Sequence, residues 1–177
     1  MSLVAGLFEL NKPYFNIDTR NMDRDLGMQR AKGIELSVAG QLTRALTVNA
    51  GAVLGEVQVI GPTLAAEGVG RNALGQPHSQ LLINLDYGLS KLAALSLDMG
   101  IYHFGSVPGT IDNAVYVPSV TVISLGDRYR FKLLGEPATL RVQVQNVTNS
   151  YIWNVTLSPG YLQFAPRAFV AYLTLDV

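Results

Sequence analysis

Apolar and polar residues alternate along most of this chain. Ile34, Leu36, Val38 and Leu42 fall on one parity, against Glu35, Ser37 and Gln41. Leu46, Val48, Ala50, Ala52 and Leu54 repeat the pattern against Thr47, Asn49 and Gly51. Leu81, Ile83, Leu85, Tyr87 and Leu89 repeat it against Asn84, Asp86 and Gly88, and Leu95, Leu97, Met99 and Ile101 against Ser96, Asp98 and Gly100. Beyond them Ile123, Leu125, Tyr129 and Phe131 share a side with Asp127. Leu140, Val142 and Val144 oppose Arg141, Gln143 and Gln145, and Phe169, Ala171, Leu173, Leu175 and Val177 form the last stripe. A period of two is the period of a β-strand with two unlike faces. Adding residues 3–10, where either parity could be the apolar one, the pattern predicts eight antiparallel strands and almost no helix.

The segments between the stripes are unequal. Residues 11–30 are polar and charged, and residues 61–78, 105–113 and 149–165 are loop-like, with Gly and Pro prominent in the first two. Short turns are expected at 43–45, near Ser90-Lys91 and at 132–137. Long and short connections thus alternate, as in outer-membrane barrels with long extracellular loops and short periplasmic turns. The predicted fold class is therefore all-β, an antiparallel transmembrane-type barrel of about eight strands over residues 1–177. The final strand has an apolar outer face, so closure of the barrel on itself is expected, since an open edge there would invite aggregation.

Composition sharpens this picture. Apolar residues make up 49% of the chain and charged residues 15%. No apolar run approaches the roughly 18 residues of a membrane helix. High hydropathy without such a run fits strands that bury one face in lipid, with a soluble lipid-binding barrel as the rival reading. The 13 basic and 13 acidic residues cancel, so no long-range field favours nucleic acid. There is no cysteine to staple the fold or act as a thiolate. Tyr87, Tyr129, Phe131, Tyr151, Trp153 and Phe169 lie mostly near strand ends, where aromatic girdles would sit.

Candidate chemistry is sparse. Glu35, Asp86, Asp98, Arg128, Arg130 and Arg141 fall on the polar parity and would form a lumen charge network. Tyr102 and Phe104 fall on the same side at the far end of their strand and are candidate ligand contacts. His78-Ser79, and His103 with Ser106, show no spacing that enforces a nucleophile, base and orienting group. No metal-ligand spacing occurs, and Gly68-Val69-Gly70 is followed by no helical pattern. The expected catalytic set, metal and cofactor are none.

The run LRVQVQNVTNSYIW followed by PRAFVAYLTLDV resembles the end of a TonB-dependent outer-membrane receptor of the ferric-siderophore type. The residues that carry the resemblance are Asn146, Val147, Thr148, Asn149, Tyr151, Pro166 and Arg167. Gly33-Ile34-Glu35 and the segment SLGDRYRF resemble earlier strands of that family. The spacer before Tyr151 is one residue short, and the chain ends on Val177 where the family usually has an aromatic residue. The resemblance implies the C-terminal barrel portion of a receptor in the bacterial outer membrane. Its implied partners are outer-membrane lipid, a plug domain, further barrel strands and a ferric siderophore-like solute. A signal peptide and plug have no counterpart here, so a piece of a longer chain is expected, unable to transport alone. A self-contained small barrel with a structural or adhesive role is the alternative.

Overall fold

The computed structural model describes residues 1–92, 94–156, 160–163 and 166–176, and none of these is helical. The strands in chain order are β1 (Ser2–Ile17), β2 (Asp23–Gln41), β3 (Leu46–Ile60), β4 (Ser79–Gly88), β5 (Leu95–Phe104), β6 (Val107–Pro108), β7 (Tyr116–Val117), β8 (Val120–Leu133), β9 (Glu136–Gln145), β10 (Trp153–Val155), β11 (Tyr161–Gln163) and β12 (Ala168–Leu175). Eight of them make one antiparallel sheet in the order β1-β2-β3-β4-β5-β8-β9-β12. The pairs β6-β7 and β10-β11 are small ribbons in the connections.

The register turns the sequence stripes into two faces, because residues directly opposite across a ladder share a side. Val48, Leu85, Met99, Leu125, Val144 and Phe169 lie in one row across β3, β4, β5, β8, β9 and β12. A parallel row runs Leu3, Val38, Ala50, Ile83, Ile101, Ile123. Leu3 and Leu7 therefore join the apolar face, which settles the parity of β1. Between these rows lies Asn49, Asn84, Gly100, Ser124, and on the turn side of the first row lies a second polar one: Gln41, Thr47, Asp86, Asp98, Gly126, Gln143. The apolar face is uncovered, and Leu7 and Phe169 are 86% and 76% exposed. A contiguous exposed apolar surface of this kind calls for lipid or a partner.

Several boundaries differ from the expectation. Residues 11–30 are mostly strand, since β1 continues to Ile17 and β2 begins at Asp23. Here Lys12 faces Gln29, Asn11 faces Arg30 and Glu9 faces Lys32. Polar residues stand on both faces at the start of this extension, so the alternation that marks the other strands breaks down there. The turn expected over 132–137 narrows to Leu134 and Gly135, both at positive φ. The strand expected from about residue 117 starts at Val120; β6 lies in the loop expected over 105–113 and β10 and β11 in that over 149–165, while β7 falls just after the first of these.

The expected closure is absent among the described residues. β1 pairs only with β2 and β12 only with β9, so both edges are free. The expectation that Val177 extends the last stripe lies outside the described residues.

Apart from Ala138 on β9, the buried apolar residues lie not in the sheet's broad centre but at its loop end. Leu26, Val59, Leu64, Val69 and Ala73 form one cluster, with Tyr14 and Val57 packed on it. The connection after β3 folds back onto β3, where Ala73 N–H donates to Val57 O at 2.9 Å and Val59 N–H to Arg71 O at 2.7 Å. Val107 and Val117 are buried in the β6-β7 ribbon.

Candidate functional site

The polar face carries an ion-pair network at its turn-proximal end. Asp86 on β4 and Asp98 on β5 are direct partners, as are Ser96 and Arg128 and, across the next ladder, Arg128 and Arg141. Two carboxylates side by side repel, and two guanidinium groups likewise, so the pairs form diagonally. Arg128 pairs with Asp86 and also donates from Nε to Ser96 Oγ at 3.2 Å. Arg141 reaches Asp98 at 3.4 Å, and Gln143 donates to the same carboxylate at 3.3 Å. Glu35 and Arg130 share this face but form no ion pair among the described residues. Glu35 lies on β2, opposite Gly6 and Val53, away from the network. Ser96 and Gln143 are members that sequence reading did not single out; their shared parity with the charges was the available signal.

Tyr102 and Phe104 stand on the polar face at the loop-proximal end of β5, with ring centroids 6.2 Å apart and planes 29° from parallel. Tyr102, with Leu82, Asn84, Asp98, Arg141 and Gln143, lines a cavity of about 650 Å³. Ile152 and Pro166 close part of it from the connection after β9.

That connection is pinned by the Asn element. Asn146 is 3% exposed and sits at φ 52°. Its side chain donates from Nδ2 to Ser150 O and accepts from Ser150 N–H, both at 2.9 Å. Asn149, at φ 53°, accepts from Arg167 N–H at 2.9 Å. Asn tolerates left-handed backbone because its amide can bond locally. The far loops interlock as well. Asn113 bridges to the Asn72 backbone in both directions, accepting at 2.8 Å and donating at 2.9 Å, and Tyr161 Oη donates to Gly109 O at 3.0 Å.

The histidines are held elsewhere. His103 Nδ1 lies 2.9 Å from Thr121 Oγ1, on the apolar parity, and His78 Nδ1 lies 3.3 Å from Gly55 O. Two loop carboxyls have lowered pKa values. Asp18 is held down by accepting backbone N–H bonds at Met22 and Arg20, with Arg24 nearby. Asp112 is held down by the Thr110 hydroxyl and the Ala114 N–H.

A two-faced antiparallel sheet with one polar network, one uncovered apolar face and two free edges is the architecture of a stretch of β-barrel wall. No protein-family profile matches the chain. Among known proteins it is similar to the ferrichrome receptor FcuA of Yersinia enterocolitica, at 28% identity over 176 residues, covering 97% of this chain and 23% of that receptor. Its fold matches BauA, the ferric preacinetobactin receptor of Acinetobacter baumannii, with a TM-score of 0.81 and 23% identity over 97% of this chain and 27% of that one. It also matches Fiu, the ferric-catecholate import receptor of E. coli K12, with a TM-score of 0.77 and 21% identity over 98% and 25% of the two chains. Over nearly its whole length the chain is thus similar to one segment of these siderophore receptors. It spans about a quarter of the length of these relatives.

Proposed function

We propose that this chain is eight consecutive strands of a transmembrane receptor barrel that imports a ferric siderophore or a similar scarce solute. The observation that carries the reading is the two-faced sheet with both edges unpaired. In this reading the apolar face meets outer-membrane lipid. β4, β5 and β9 are each 10 residues long, the length of a tilted membrane-spanning strand. Tyr87, Tyr129 and Phe131 lie on the apolar parity at the turn-proximal edge, where an interfacial girdle belongs. Asp127 shares that side, in the same row as Tyr87, near the boundary where a charge costs less.

The polar face is proposed to line the lumen. Its network of Asp86, Asp98, Arg128 and Arg141 would meet water or a plug domain, with Glu35 and Arg130 on the same wall. Tyr102 and Phe104 would contact the solute from the extracellular side. The free edges of β1 and β12 are proposed to pair with further barrel strands, and the chain alone neither transports nor catalyses. A self-contained small barrel would require β1 to pair with β12.

The test is a chimera in which this chain replaces the corresponding quarter of a related receptor. The chimera should insert and take up an iron-loaded siderophore, whereas cells making this chain alone should not. Uptake by the chain alone, or a folded chimera that fails to bring in iron, would overturn the reading.

A further inference from the structure

We infer that the lumen wall around Tyr102 and Phe104 is matched to a ferric chelate of zero net charge rather than to a polyanionic one. The inference rests on the import reading and concerns the class of solute. Three register rows cross β3, β4, β5 and β8 here: Val53, Gln80, Phe104, Val120; then Gly51, Leu82, Tyr102, Val122; then Asn49, Asn84, Gly100, Ser124. None of these twelve residues carries a charge of either sign. Arg141 lines the same cavity together with Asp86 and Asp98, and it and Arg128 are both engaged by those two carboxylates. Side chains along the three rows offer aromatic faces, branched alkyl groups, amides and two hydroxyls, those of Tyr102 and Ser124.

Iron(III) held by three bidentate groups of one negative charge each, such as hydroxamates, forms a neutral complex. Held by three doubly charged catecholates, it keeps a charge of −3. A trianion leaving water for this wall would lose hydration and meet two carboxylates, with only carboxylate-paired cations to replace it. A neutral complex has no such penalty, and its apolar rim can lie against Tyr102 while amides meet its carbonyl oxygens. The cavity beside Tyr102, about 650 Å³, is within the size range of small-molecule sites.

Trp153 is the chain's one tryptophan and neighbours the cavity-lining Ile152, so its fluorescence reports binding. The experiment titrates the chain, folded in detergent micelles at about 0.15 M salt, with ferric tris-hydroxamate and with ferric tris-catecholate. The neutral complex should bind at least about tenfold more tightly. Tyr102→Ala should weaken it by a similar factor. Val122→Lys puts a cation directly opposite Tyr102 and should narrow the gap by improving binding of the trianion. Equal affinities, or preference for the trianion by the unaltered chain, would overturn the charge match while leaving import untouched. Binding of neither complex by a chain with an intact β-type far-UV spectrum would remove this wall as a solute contact altogether. Uptake by the chimera reports on the import reading separately.

Discussion

Replacing Asn146 by alanine should destabilise the sheet's loop end by about 3 kcal/mol. The residue is buried and holds both polar groups of the Ser150 backbone at 2.9 Å. Each such bond contributes about 1 kcal/mol net, and its loss leaves a backbone group without its partner. The left-handed φ of 52° adds about 1 kcal/mol against alanine, which Asn tolerates better. The two causes separate in a series. Asn146→Gly keeps the backbone freedom and loses both bonds, so about 2 kcal/mol is expected. Asn146→Asp keeps the acceptor for Ser150 N–H and the tolerance of φ but sets a buried carboxylate oxygen against Ser150 O, so about 2 kcal/mol or more is expected at neutral pH. The assay is equilibrium urea unfolding from lipid vesicles, reading midpoints at constant slope. Glycine as costly as alanine would refute the φ argument. All three variants within about 0.5 kcal/mol of the parent would refute the role of the clamp.

Other consequences follow from the two faces and the turns. Ile83→Arg should cost about 2–4 kcal/mol and Asn84→Arg about 0.5 kcal/mol or less, read by the same unfolding assay; equal costs would sink the face assignment. Leu134 is 93% exposed at φ 56° in the β8–β9 turn, so Leu134→Asn should stabilise by about 0.5–1 kcal/mol, and a lower unfolding midpoint would contradict it. Asp18 has a lowered pKa, so its hold on the β1–β2 tip is present above the ordinary aspartate value and lost as pH falls through the lowered one. NMR signals of the Arg20 and Met22 amides should therefore titrate with a midpoint below about 3.9, a transition that Asp18→Asn abolishes; a midpoint above that value would reverse the sign.

The eight sheet strands were legible because their apolar parity survives wherever one face is covered differently from the other. Ile34, Ile83 and Val142 announce their strands for that reason. The outer parts of β1 and β2 were not legible, since Asn11, Lys12, Gln29 and Arg30 are polar on both faces. The open edges were not legible either, because the residues of β12 look the same whether its neighbour is β1 or a strand of a larger barrel. In the network, parity placed Asp86, Asp98, Arg128 and Arg141 on one wall, but only the register shows that like charges sit side by side and opposite ones diagonally. That same register leaves Glu35 on a distant strand. The Asn element was noticed for its resemblance, and its physical task, closing a turn around Ser150, required the coordinates.

The account stands on which face meets lipid, and that can be measured directly. Single tryptophans at Ile83 and at Asn84, each in a Trp153→Phe background, would be placed in vesicles of brominated phosphatidylcholine, whose bromines quench indole on contact. The account predicts strong quenching for Ile83→Trp and little for Asn84→Trp. Equal quenching at the two positions, or stronger quenching at Asn84→Trp, would contradict it.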